Sequence, residues 1–321
     1  MIYIVIISIL LLILFFIFIY LYDNFNIVLK NNDSKGNIEN KKEIPFIISV
    51  KNYDDNLIDV INKTNISGII INIDNLDIES LDKIIKKIKR KIKRKILIAI
   101  DQDYKNTSSI YYDKRFKVFS SYIGERKSED YAYKIAYERS SKLKSVGINM
   151  ILSPICNTYC NEKSHLKEHI FSDDKILASN LIYSTVKAYK DNGLITALKY
   201  FPKYYDDELY IDEDTNNNIE SIIDNRETFL AGIKAQADII VMPHIKDNYK
   251  YKDFLFNNMK FKGIIMTDYI NNDKNIINYA VNVLSSNYYK DINKLKNIIE
   301  NNIKETDTVL CSKLLKLIKK L

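Results

Sequence analysis

The 321 residues are long enough for one large barrel-type domain or two ordinary ones, and 46% hydrophobic with 28% charged residues excludes wholesale disorder. The net charge of +7 favours anionic surroundings such as cell-wall polymer, lipid headgroups or nucleic acid, without choosing among them. Three cysteines do not make a disulfide framework.

The first segment of the chain, residues 2–22, is uncharged and almost wholly apolar. At about 1.5 Å per residue it spans the roughly 30 Å hydrocarbon core of a bilayer, so it predicts a transmembrane helix. No basic region precedes it and no small-residue cleavage site follows, so we interpret residues 1–22 as an uncleaved anchor. The polar, Asn- and Lys-rich residues 23–44 indicate a tether. The lysines of this tether favour a cytoplasmic location for the C-terminal side of the anchor, so the sequence does not determine the orientation of the anchor in the membrane.

From residue 45 onward, short β-rich runs alternate with amphipathic helical stretches. The predicted strands are 45–50, 67–73, 95–100, 148–153, 194–201, 237–242, 263–267 and 280–284. The clearest predicted helices are 129–145, with Ser128 as N-cap and Gly147 as stop signal, and 176–190, which ends shortly before Gly193. About eight strand–helix repeats predict a (β/α)8 barrel over residues 45–321 rather than an open sheet.

Three of the predicted strands carry a polar residue at their end. Asp101 follows one run, Asp268 follows another, and Lys199 follows the apolar part of a third. Because the carboxyl ends of barrel strands share one rim, where catalytic residues lie, these side chains predict a polar site on that rim.

The basic run 83–95 has the composition of a nucleic-acid-binding segment, but isoleucines between residues 84 and 92 recur at helical spacing. We therefore interpret it as a barrel helix with its basic face in water and predict no nucleic-acid partner. Cys156 and Cys160 lie four residues apart with two histidines nearby. We interpret them as loop residues rather than a metal site, and predict no metal or organic cofactor.

Six short segments in this chain carry recognisable motifs in a consistent order. They are residues 67–75 (compare GGxILFxxN), 98–103 (IDQEGG), 145–154 (GINxxxAP), 198–202 (LKHFPGHG), 229–244 (ending in M-x-x-H) and 262–269 (FxGVIxSDDL). Together they resemble the N-terminal barrel domain of glycoside hydrolase family 3, most closely its single-domain β-N-acetylglucosaminidase branch. The resemblance covers residues 65–285 and implies retaining hydrolysis of glycans that contain β-linked N-acetylglucosamine, with carbohydrate as partner.

The resemblance also implies roles for particular residues. Asp268 falls on the catalytic nucleophile of the family, which forms a covalent glycosyl-enzyme intermediate. Asp101 and Lys199 fall on residues that hydrogen-bond sugar hydroxyls, and His244 falls on a histidine of the same rim. Tyr200 replaces a histidine of the family motif beside Lys199.

Several positions depart from the family pattern. The family takes its general acid/base from a histidine held by an aspartate, whereas this chain has Asp212, Glu213 and Asp214 there, with Asp214 at the histidine position. Glu213 or Asp214 would serve as the acid if burial raised its pKa; the alternative is a solvated acidic loop. Residues 104–105 replace two glycines, and Asn157 replaces an aspartate.

Two hypotheses of different class follow. The first is a membrane-anchored hydrolase with its barrel outside the cytoplasm. The second is a catalytically degraded barrel that binds glycan or a partner protein as an anchored scaffold. A barrel enzyme unrelated to sugars is a third interpretation, which the ordered motifs disfavour.

Overall fold

The computed structural model describes residues 44–73, 76–92, 94–102, 116–158, 166–203, 225–243, 248–271, 276–303 and 307–321. Within them, eight parallel strands form a closed barrel in sequence order, with β8 paired to β1. The predicted barrel is confirmed, and each predicted run overlaps one strand. The strands are β1 (Ile44–Val50), β2 (Ile66–Ile71), β3 (Leu97–Asp101), β4 (Met150–Ile155), β5 (Ile195–Lys199), β6 (Ile239–Met242), β7 (Ile264–Ile270) and β8 (Val281–Leu284).

The helices begin and end where the sequence supplies caps. Ser128 accepts a hydrogen bond from the Tyr131 N–H, and Gly147 ends the same helix with a left-handed φ of 96°, as predicted. Asp174 caps the next helix by accepting from two backbone N–H groups. The described helices are α1 (Asp55–Thr64), α2 (Ile78–Lys91), α3 (Ser120–Glu125), α4 (Glu129–Val146), α5 (Lys175–Asp191), α6 (Arg226–Lys234), α7 (Asn248–Asp253), α8 (Ile292–Ile303) and α9 (Thr308–Lys319).

The strands separate two apolar regions, because successive side chains point to opposite faces of a sheet. On β3, Leu97 and Ala99 pack in the barrel interior with the alternate residues of the other strands. Ile98 and Ile100 pack outward against the helices. The third inward position of β3, Asp101, therefore lies at the carboxyl end of the barrel.

Helix α9 closes the opposite, amino-terminal end of the barrel. Its apolar side chains Leu310, Leu314 and Leu317 belong to the same cluster as the barrel interior. Lys313 Nζ donates to the Gly263 carbonyl, just before β7, at 3.0 Å. Helix α9 thus covers the amino-terminal end of the barrel interior.

The basic run near residue 90 is helical, as predicted. Helix α2 ends at Lys91, buries Ile85 and Ile88, and exposes Lys86 and Lys87 to solvent. From residue 44 onward, the described part of the chain includes no helix with both the length and the apolar character needed to cross a bilayer. The predicted anchor, residues 1–22, lies outside the described residues, as does the tether up to residue 43.

Candidate active site

The barrel interior becomes polar at the third inward position of β3 and β5. Asp101 pairs in register with Leu152, and Lys199 pairs with Ile155; both partners are members of the interior cluster. The Asp101 and Lys199 side chains therefore point into the barrel. Lys199 Nζ donates to Asp101 Oδ1 at 2.5 Å, and the two side chains are 1% and 2% exposed. The predicted site thus contains a fully buried ion pair.

A third group faces the ammonium of this pair. The Tyr200 ring centroid lies 5.4 Å from Lys199 Nζ, within the range of a cation–π interaction. Desolvation of two charges is costly, and only a close partner with good geometry offsets it. Asp101 and Lys199, which the resemblance assigns to sugar hydroxyls, are therefore each other's main electrostatic partner.

The backbone beside Lys199 is held by a side chain from the loop after β4. Asn157 Oδ1 accepts the Tyr200 N–H at 3.1 Å, and Asn157 Nδ2 donates to the Tyr200 carbonyl at 3.4 Å. Asn225 Oδ1 in turn accepts the Thr158 N–H at 2.9 Å. This clamp fixes the end of β5. The sequence showed Asn157 only as a departure from the family motif and gave no sign of the clamp.

Asp268 lies in a register shift near the end of β7. Two residues of β7, Thr267 and Asp268, oppose the single residue Asn282 of β8. The Thr267 hydroxyl accepts the Val283 N–H at 3.0 Å, and Asp268 Oδ1 accepts the Tyr269 N–H at 2.9 Å. Such bulges are frequent beside active sites, where they re-aim a side chain. The bulge was not predicted.

Asp268 differs from the buried pair in exposure. It is only half-buried, and it lies one residue beyond Thr267, which pairs with the last residue of β6, Met242. Its carboxylate is therefore more accessible to solvent than the Asp101–Lys199 pair. A partly exposed carboxylate at the carboxyl end of a barrel strand can act as a nucleophile or accept hydrogen bonds from a bound ligand.

Gln102 adds an unused acceptor next to Asp101. It is 5% exposed, and its side-chain oxygen has no hydrogen-bond partner within the described residues. Buried polar atoms are normally paired, so this oxygen is available to a donor. Nothing in the sequence singles out Gln102 beyond its place in the motif that contains Asp101.

The structure brings Asp101, Lys199, Tyr200 and Asp268 to one end of the barrel. The other predicted site residues, Asp212, Glu213, Asp214 and His244, lie outside the described residues. Of the cysteine pair, Cys156 is buried beyond β4 and Cys160 lies outside the described residues.

Comparison with known proteins identifies the family. The model of the glycosyl hydrolase family 3 N-terminal domain matches residues 38–287, which is most of the chain. No curated protein sequence matches. Similar solved structures include CbsA from Thermotoga neapolitana, with a TM-score of 0.69 and 14% identity over 87% of this chain and 67% of that one.

Two further structures share the fold. The β-N-acetylglucosaminidase from Thermotoga maritima has a TM-score of 0.68 and 14% identity over 86% of this chain, but this chain spans only 65% of its length. NagZ from Neisseria gonorrhoeae, solved with a zinc ion, has a TM-score of 0.68 and 12% identity over 86% of this chain and 90% of that one. Such identities show the fold alone, whereas the family match rests on sequence. This chain therefore belongs to glycosyl hydrolase family 3.

Proposed function

We propose that this protein is a retaining glycoside hydrolase that acts on glycans containing β-linked N-acetylglucosamine, with Asp268 as its nucleophile. The observation that carries the proposal is the position of Asp268, a half-buried carboxylate in a strand bulge at the carboxyl end of β7. The Tyr269 N–H donates to Asp268 Oδ1 at 2.9 Å and orients the carboxylate. A retaining reaction needs one such carboxylate on the face of the sugar opposite the leaving group.

The proposed reaction has two steps. Asp268 attacks the anomeric carbon and forms a glycosyl-enzyme bond while a second carboxylic acid protonates the departing oxygen. Water then cleaves that bond, with the second residue acting as base. We assign the acid/base role to Asp214 or Glu213, with Asp212 beside them, and this assignment remains a proposal from sequence.

The remaining residues of the proposed site surround the sugar. Lys199 uses one N–H on Asp101 and has two further donors, since an ammonium carries three. We propose that the pair forms the floor of the sugar site, with Tyr200 and His244 beside it. The substrate class also rests on the family branch that the motifs resemble and on the solved β-N-acetylglucosaminidases of the same fold.

We also propose that residues 1–22 anchor the protein in a membrane through the tether 23–44, with the barrel 45–321 outside the cytoplasm. The support is the uncharged apolar run of residues 2–22, which has the length of a bilayer core. Protease digestion of intact cells tests the orientation. Cleavage within the tether from outside is the expected result, and protection of the tether would contradict it.

The decisive experiment for catalysis is release of chromophore from an aryl β-N-acetylglucosaminide by the full chain in detergent. Asp268→Asn should lower turnover by about 10³-fold or more, because it removes the group that forms the covalent bond. The matched control is Asp59→Asn, which alters an exposed carboxylate on α1 and should leave turnover unchanged. Equal activity in Asp268→Asn and the parent would contradict the proposed role.

A second candidate function is a glycan-binding or protein-binding scaffold that has lost catalysis. Two observations favour it: Asp101 and Lys199 are already paired with each other in a buried ion pair, and Asp214 replaces the family's catalytic histidine. A scaffold would bind N-acetylglucosamine oligomers in calorimetry without turning over any aryl sugar. Asp268→Asn would then change the binding affinity little.

A further inference from the structure

A cleft lies at the amino-terminal end of the barrel, opposite the candidate active site. It encloses about 490 Å³ between the end of α6, the start of β7 and helix α9. Its floor is apolar and includes Phe261 and Leu317. Five of its lining side chains are lysines: Lys260, Lys262, Lys313, Lys316 and Lys320.

Among the described residues, neighbouring carboxylates neutralise the positive charge of this lysine cleft only in part; one of them, Asp307, interacts electrostatically with Lys313. Within the described residues, the four lysines other than Lys313 form no ion pair. The acidic residue that lines the cleft, Asp238, is already engaged: its Oδ2 accepts from Lys190 Nζ at 2.6 Å and from the Thr196 N–H at 3.0 Å. The cleft therefore carries a net positive field that attracts anions.

Lys313 shows that the cleft is partly shielded from water. Its Nζ donates to the Gly263 carbonyl at 3.0 Å and lies 4.9 Å from the centroid of the Phe256 ring. Burial lowers the pKa of this ammonium from its ordinary value. An anion that entered the cleft would meet the exposed ammonium groups of the other lysines at the rim and the less hydrated ammonium of Lys313 inside.

The same face of the barrel is basic beyond the cleft. Because the strands are parallel, every connecting helix returns to this face, so helix C-termini collect here. Lysines and arginines are favoured at helix C-termini by the helix dipole, and the last turns of α2 and α9 carry them. The chain also enters the barrel here, since β1 begins at Ile44.

We propose that the lysine cleft binds the headgroup of an anionic phospholipid, so that the amino-terminal face of the barrel lies on a membrane surface. The exposed lysines match the phosphate charge, and the apolar floor accommodates the glycerol and the start of the acyl chains. Basic residues near an anionic leaflet are attracted over about a Debye length. A nucleic acid fits less well, because Phe261 is the one aromatic side chain among the described residues that line the cleft.

Binding at this cleft would also orient the barrel relative to the bilayer. The rim that carries Asp268 would face away from the bilayer, toward glycan in the surrounding space. The inference is consistent with the proposed anchor but does not require catalysis, so a catalytically silent protein would still show it.

The test uses the full chain with vesicles of neutral phosphatidylcholine or of phosphatidylcholine mixed with phosphatidylglycerol. An amine-acetylating reagent is added, and mass spectrometry measures the rate of modification at each lysine. We expect Lys316 and Lys320 to react about tenfold more slowly on anionic than on neutral vesicles. Lys175, exposed at the start of α5 on the opposite face, should react equally on both. High salt should remove the difference.

Matched variants test whether the slower acetylation depends on the lysines of the cleft or on exposed lysines in general. Lys260→Gln with Lys262→Gln should remove the slower reaction at Lys316, whereas Lys86→Gln with Lys87→Gln, on the exposed face of α2, should not. Equal reaction rates on both vesicles would overturn the proposal, as would equal slowing at Lys175.

Two further outcomes distinguish a small anion from a lipid headgroup as the ligand and test whether residues 1–22 anchor the protein. If inorganic phosphate alone slows acetylation of Lys316 as strongly as anionic vesicles do, the cleft takes small anions and the membrane role is refuted. If the protein floats only with anionic vesicles, the anchor is refuted while the cleft is supported.

Discussion

Asp101→Asn removes the counter-ion of a buried ammonium. In the parent protein, Lys199 Nζ lies 2.5 Å from Asp101 Oδ1, and neither side chain is more than 2% exposed. The asparagine is of similar size, so the substitution removes charge without creating a cavity. The Lys199 ammonium then stays in the barrel interior without an opposite charge, or it loses its proton.

The expected cost follows from this burial. Breaking a buried ion pair by removing one partner costs about 3–5 kcal/mol, whereas replacing both partners by apolar side chains is often neutral or stabilising. At roughly 2 °C per kcal/mol for a domain of this size, Asp101→Asn should lower Tm by about 6–10 °C. Lys199→Met should have a similar effect, and the double variant Asp101→Asn with Lys199→Met, which leaves neither charge behind, should recover most of the loss.

The assay is urea unfolding of the four proteins, followed by far-ultraviolet circular dichroism. The four free energies of unfolding form a double-mutant cycle that isolates the pair. Single-variant losses below about 1 kcal/mol are typical of exposed salt bridges. Losses of that size would refute the reasoning, because they would show that water screens the pair in solution.

Two further predictions concern the helices around the barrel. Gly124→Ala on α3 would place a Cβ atom 1.6 Å from the Phe171 carbonyl oxygen, so we expect thermal unfolding to show a loss of at least about 2 kcal/mol. A hydrogen bond from Lys187 and a second from the Tyr133 hydroxyl lower the pKa of Asp191 below 3.8. Their stabilising effect is present above that pH and is lost as the pH falls through the lowered value. Asp191→Asn should therefore lower Tm more near pH 6 than near pH 2.

Each of these predictions has a simple check. Glu125→Ala changes an exposed side chain on the same helix as Gly124 and should leave Tm nearly unchanged. An unchanged Tm for Gly124→Ala would mean that the loop at Phe171 moves aside at little cost. An equal loss of Tm for Asp191→Asn at both pH values would show that packing, not ionisation, is responsible.

The strands of the barrel were predictable because each is a short, almost continuous apolar run. A strand buried on both faces has no alternation of polar and apolar residues, so its apolar composition alone is enough to predict it. Helix α4 was predicted closely for a local reason, since Ser128 and Gly147 supply both caps. These features depend on neighbours in sequence.

The contacts across the barrel depend on the register between strands, and the composition of a strand gives no information about its register. Asp101 and Lys199 were placed correctly on one rim, but their pairing requires the alignment of three strands over 98 positions of sequence. The bulge at Asp268 also arises from an extra residue in β7 relative to β8, which neither strand shows by itself. The lysine cleft joins three elements distant in sequence, so it too was unpredictable.

Burial of the lower barrel interior depends on helix α9, which is synthesised after all eight strands. The lower interior layer, which includes Ile47, Ile195 and Ile264, packs against this helix, and α9 follows all eight strands in the sequence, so the ribosome produces it after them. Until it emerges, a nascent barrel with all eight strands still exposes that apolar layer to water. Exposed apolar surface of this kind recruits chaperones and promotes aggregation. A chain that stops after α8 would therefore contain every proposed site residue and still be prone to aggregate.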